Sequence, residues 1–120
     1  MATRVADRRS VLILSGDPLS AALLGAASEL AAYAPVYPAP GESARDALIR
    51  LRPSVVLIDC DDDAACTEEF LGPVIMTGAR LVVFSSARSR RKATPLAERF
   101  KLRHLELPAD PAALARALDE

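Results

Sequence analysis

The residues best suited to chemistry sit where apolar runs end. Asp59 closes the run Val55-Val56-Leu57-Ile58, and Asp61, Asp62 and Asp63 follow almost at once. Ser15, Gly16 and Asp17 follow a second run, Val11-Leu12-Ile13-Leu14. Ser85 and Ser86 follow a third, Leu81-Val82-Val83-Phe84. Carboxylates are hard oxygen ligands, so such a cluster could hold a divalent cation. The competing reading of Asp61, Asp62 and Asp63 is a solvated loop. For Asp17 it is helix capping, because Pro18 comes next and proline suits a first helical position. For the serines it is the satisfaction of loop backbone groups.

Other candidates carry weaker signals. Arg88, Arg90, Arg91 and Lys92 form a basic stretch. It reads as a solvated loop or as a docking site for an acidic partner. No aromatic residues interleave with it, which argues against nucleic acid. Cys60 and Cys66 are the two cysteines. With the lone His104 they lack the spacing of a zinc site. The carboxylate next to Cys60 discourages thiolate formation.

The elements that must position these residues alternate. Val11–Leu14 reads as a buried strand, and a helix from Pro18 to about Tyr33 follows. Its inward face is expected to carry Leu19, Leu23, Ala26, Ala27 and Leu30. Leu24 and several alanines spill onto the other side, so the helix is either well covered or part of a contact surface. Pro35–Pro38 reads as an edge strand, since flanking prolines cannot donate to a ladder. A short helix over Ala44–Leu51 turns Ala44, Ala47, Leu48 and Leu51 inward. Val55–Ile58 has the continuous apolar character of a central parallel strand.

A weak helix through Glu68–Leu71 is expected to break near Gly72-Pro73. Leu81–Phe84 is another buried strand. Thr94-Pro95 opens a helix through Phe100, and His104–Leu107 alternates like a half-exposed edge strand. Asp110-Pro111 starts a last helix ending near Leu118. Five strand–helix repeats imply a parallel sheet with helices on both faces. Apolar first, third and fourth strands with edge-like second and fifth predict a flavodoxin-like, doubly wound sheet of order 2-1-3-4-5.

Bulk properties agree with that class. The 120 residues are 51% hydrophobic and 26% charged, with a net charge of −1. This length suits one domain over residues 1–120, with 1–9 as a flexible N-terminus. It can bury roughly two-thirds of the unfolded surface without a metal or disulfide. The charge gives no case for nucleic acid or an anionic membrane. Neither a signal peptide nor an 18-residue apolar span is evident, so a cytoplasmic location with reduced thiols is expected.

In such sheets the working site lies beyond the carboxyl ends of the strands. The residues there are Ser15-Gly16-Asp17, Asp59, Ser85 and Leu107-Pro108. This layout resembles the CheY-like receiver domain of bacterial response regulators over nearly the whole chain. The resemblance implies a phosphoacceptor position at Asp59 and a switch hydroxyl at Ser85. It puts the family's acidic pair at Ser15 and Gly16, and its lysine at Leu107, just before the matching Pro108. The Ser85-to-Leu107 spacing agrees with the family. His104 takes the position of the aromatic switch residue, and the stretch from Asp59 to Ser85 is short, so the third helix should be short or displaced.

Those departures matter chemically. Phosphoryl transfer to a carboxylate needs a cation to neutralise developing charge, and the lysine adds to that. Ser15 is a weak neutral ligand, Gly16 offers only backbone, and Leu107 neutralises nothing. The resemblance therefore implies a pseudo-receiver: a non-enzymatic two-component signalling module without cofactor. It implies a protein partner, or a homodimer, through Thr94–Leu118. A second reading is a phosphorylatable receiver in which Asp17, Asp59 and Asp61 hold magnesium. A third is a small-ligand protein or enzyme on the same sheet, although the first strand–helix turn carries no Gly-rich phosphate loop.

Overall fold

A computed structural model describes residues 9–59, 68–85, 98, 103–106, 112, 116 and 118. The order is β1 (Ser10–Leu14), α1 (Pro18–Leu30), β2 (Ala34–Val36), α2 (Ala44–Leu51), β3 (Val55–Asp59), α3 (Glu68–Met76), β4 (Arg80–Ser85) and β5 (Arg103–Glu106). Glu98, Ala112, Arg116 and Leu118 are also helical. The five strands form one parallel sheet of order β2-β1-β3-β4-β5, as the burial pattern predicts.

Strand periodicity builds the core. Successive side chains point to opposite faces of a sheet. Even-numbered Leu12, Leu14, Val56 and Ile58 pack with Ala47, Leu48, Leu71 and Val74 of α2 and α3. Odd-numbered Val11, Ile13, Val55 and Leu57 pack with Leu24 of α1, Tyr33 and Leu118. In β4 the parity is exchanged: Leu81 and Val83 join the first group, Val82 and Phe84 the second. The register explains this, because Val56 pairs with Leu81 and Leu57 with Val82. Burying each such side chain stabilises the fold by about 1.5–3 kcal/mol.

α1 starts as its sequence dictates. Asp17 is the N-cap, accepting from the Ser20 backbone N–H at 3.2 Å, and Pro18 stands in the first turn. The inward face differs from the expected one. Leu24, Gly25 and Ser28 are buried, whereas Leu19, Leu23, Ala26 and Leu30 are exposed. The helix is apolar around most of its circumference, so periodicity alone offers two faces. The small residues decide between them. Ser28 is buried because its Oγ donates to the Leu24 carbonyl at 2.7 Å. Gly25 leaves room for the Tyr37 hydroxyl, which a Cβ there would meet and displace.

α1 ends earlier than expected, at Leu30 rather than Tyr33. Ala32 takes a left-handed conformation with φ of 68°. The Tyr33 N–H then bonds to the Ser28 carbonyl and the Ala32 N–H to the Glu29 carbonyl. That is a Schellman motif with alanine at the position glycine usually fills. The buried Tyr33 hydroxyl donates to the Leu118 carbonyl at 2.9 Å, and Arg80 Nη1 donates to the same oxygen.

α2 matches its expected span, with Ser43 as N-cap. Glu42, just outside it, accepts two 2.7 Å bonds from Arg50 and one from the Ala39 N–H. α3 corrects the expected break: it runs through Gly72-Pro73 to Met76. Pro73 lies inside the helix and removes one of its bonds, while Leu71 and Val74 on either side of it are fully buried and hold the helix to the sheet. Gly78, with φ of 85°, turns the chain into β4. The described span of α3 is nine residues. The N-terminal residues 1–8 lie outside the described residues. Arg9 is tied in, its carbonyl accepting from the Ala34 N–H at 2.9 Å.

Two predictions follow from these contacts. Alanine in a helix interior is favoured over glycine by about 0.5–1 kcal/mol. Gly25→Ala should realise that gain in a Tyr37→Phe background and lose it beside the native hydroxyl. Urea denaturation of the four proteins of the cycle reads the coupling. Burial first, and then the charge of Glu29, raises the Tyr37 phenol above its ordinary value. Gly25→Ala should push the ring out and return that value downward in an ultraviolet titration.

The Arg50 hydrogen bonds hold the Glu42 carboxyl at about 2, below its ordinary 4.5. A depressed folded-state value gives stability that is present above pH 4.5 and lost as pH falls towards 2. The stability difference between the native protein and Glu42→Gln should therefore shrink over that window, as measured by urea midpoints.

Candidate functional site

Strand register assembles the carboxyl end of the sheet. Leu14 pairs with Ile58, so Ser15 and Asp59 come next, side by side. Asp59 pairs with Phe84, which brings Ser85 to the neighbouring strand end. Ser85 pairs with Glu106, the last residue of β5. Four strand ends thus converge, as a doubly wound sheet requires of its site.

Asp59 is 1% exposed at the end of a strand that is buried on both faces. A buried carboxylate is tolerated when hydrogen bonds replace the lost water. Ser15 supplies one, its Oγ donating to Asp59 Oδ2 at 2.7 Å. The same Oγ accepts from the Asp17 N–H at 3.2 Å. The result is a short relay from the Asp17 amide through the Ser15 hydroxyl to Asp59. Each bond in such a chain polarises the next.

Asp17 itself turns away from this relay. Its Oδ2 accepts from both the backbone N–H and the Oγ of Ser20, at 3.2 and 2.7 Å. The Ser20 hydroxyl, followed by the Ser20 backbone bond, holds the Asp17 carboxyl below its ordinary value. Gly16 is exposed between the two. The structure therefore brings Ser15 and Asp59 into contact and gives Asp17 to the helix start. Among the described residues, no three His, Cys, Asp or Glu side chains group as metal ligands.

Several sequence candidates fall outside the described residues: Cys60, Asp61, Asp62, Asp63, Cys66, Ser86, the basic stretch 88–92, Leu107 and Pro108. His104 lies on β5, paired with Val83. The Ser15 donor role is the main feature missed by reading the sequence. Its signal was present: a hydroxyl at a position adjoining a buried carboxylate can only help by donating.

No protein-family model and no curated protein sequence matches the chain. Solved structures do match in fold. The BeF3-activated N-terminal receiver domain of Klebsiella pneumoniae RstA is 18% identical, with 92% of this chain and 96% of that one covered and a TM-score of 0.74. A response regulator receiver domain from Clostridium thermocellum is 14% identical, covering 92% and 91%, with a TM-score of 0.72. The signal receiver domain of a modulated diguanylate cyclase from Desulfovibrio desulfuricans G20, described as an example of alternate folding, is 22% identical, covering 94% and 92%, with a TM-score of 0.71. At these identities the likeness establishes the receiver fold. Among the described residues, no helix is long and apolar enough to cross a membrane.

Removing the donor tests the relay. Ser15→Ala should destabilise the protein by about 1–3 kcal/mol, because a buried carboxylate loses one of its hydrogen bonds. Asp59→Asn keeps an acceptor facing Ser15 and should cost less. Chemical denaturation of the two variants compares them directly.

Proposed function

We propose that this chain is a cytoplasmic, receiver-like signalling module that works by protein–protein contact and takes no phosphoryl group by the usual magnesium-dependent route. The supporting observation is the 2.7 Å bond from Ser15 to Asp59. In a competent site this flank of the phosphoacceptor would be a carboxylate, and a cation would hold the two together. Here a neutral hydroxyl stands in that place and donates to Asp59 directly. Asp17, an alternative acid, is occupied at the start of α1. Leu107 in the lysine position removes the second source of positive charge.

On this reading the chain is no enzyme and needs no cofactor. Its output surface is the segment Thr94–Leu118, whose mixed charges (Glu98, Arg99, Lys101, Arg103, Glu106 and Arg116) select a protein partner. Of these, Glu98 and Arg116 are exposed helical residues.

Intact mass after incubation with acetyl phosphate and magnesium tests the reading. The native chain should gain no phosphoryl adduct. An adduct that Asp59→Asn abolishes would overturn the proposal and establish an atypical phosphorylatable receiver, with Asp17 and Asp61 as the next residues to change. The triple variant Ser15→Asp, Gly16→Asp, Leu107→Lys should gain saturable magnesium binding and the adduct.

A further inference from the structure

α1 carries a second apolar face that nothing among the described residues covers. Leu19, Leu23 and Leu30 are 68, 63 and 83% exposed, and Ala22 and Ala26 between them are exposed as well. At about 100° per residue these five side chains occupy an arc of roughly 100°, opposite Leu24 and Ser28. That is the width of stripe a helix normally turns toward a core. A single charge, Glu29, borders it, and α1 has no Lys or Arg.

We infer that this stripe is the contact between two copies of the chain, packed α1 against α1 about a two-fold axis. Three observations favour a second copy over a different partner. The stripe has no cation and one flanking acid, so it offers nothing that would select a charged partner. Its pattern is self-complementary: in an antiparallel pair centred between Leu24 and Gly25, Leu23 faces Ala26 of the second copy and Leu19 faces its Leu30. Large meets small at the crossing point, which is how facing helices interdigitate. Glu29 then lies beside the first turn of the opposing helix, where a carboxylate is favoured.

The area sets the strength. The stripe exposes on the order of 500 Å² per copy, so the pair buries about 1,000 Å² in all, the lower edge for specific association. The dimer is therefore weak and concentration-dependent. Its residues all belong to α1 and are different from those of the proposed output segment Thr94–Leu118.

Sedimentation velocity across a concentration series tests the inference. The native chain should pass from monomer to dimer as concentration rises. Leu23→Glu should remain monomeric, with unchanged circular dichroism because the site is exposed. Should that variant unfold, Leu30→Arg at the more exposed position carries the same test. Ala26→Leu separates a fitted contact from general stickiness: it adds apolar surface but fills the space that receives Leu23. It should raise the dissociation constant about tenfold or more. A native chain that stays monomeric throughout overturns the inference, as does a folded Leu23→Glu or Leu30→Arg that still dimerises, or an Ala26→Leu that associates more tightly.

Discussion

Burial of β3 on both faces is the constraint from which the rest follows. Val55 to Asp59 lie between β1 and β4 in the sheet and between two helical layers across it. A strand so enclosed must be apolar, and its neighbours must supply every ladder bond. β1 and β4 inherit that demand and are nearly as apolar, whereas β2 and β5 sit at the edges. The one polar member of β3 is its last residue. Asp59 is where a fully buried element meets the site, and its carboxylate must find partners within the protein.

The partner identified at that point defines the character of the site. A receiver-fold site of the usual chemistry keeps acids apart until a cation joins them. In this chain a hydroxyl closes the gap. The bond from Ser15 to Asp59 joins a neutral donor to a buried carboxylate at the carboxyl end of the sheet.

Much of this was legible in the sequence. Strand runs, their order, the Asp17 cap and the edge positions of β2 and β5 all rest on local rules that the tertiary structure respects. Ser15 and Asp59 could be placed at adjacent strand ends from those runs alone. Their hydrogen bond could not, because it depends on a side-chain rotamer and on register to a single residue. The inward face of α1 was also illegible. Leu19, Leu23 and Leu30 outbid Leu24, Gly25 and Ser28 on hydrophobicity, and only the approach of Tyr37 and the back-bond of Ser28 reverse the choice. α3 passed through Gly72-Pro73 for a similar reason: Leu71 and Val74 anchor it on either side of one missing bond.

The alanine at the end of α1 has a consequence of its own. Ala32 holds a left-handed conformation that costs an L-residue about 1 kcal/mol or more and that glycine adopts without strain. The Schellman bonds of Tyr33 and Ala32 hold it there. A lineage carrying this chain thus keeps a one-step reserve of robustness in the turn that closes α1, away from the strand-end chemistry. Costly innovations elsewhere on the surface can be absorbed by relaxing that turn, so the scaffold is more evolvable than its present stability alone implies.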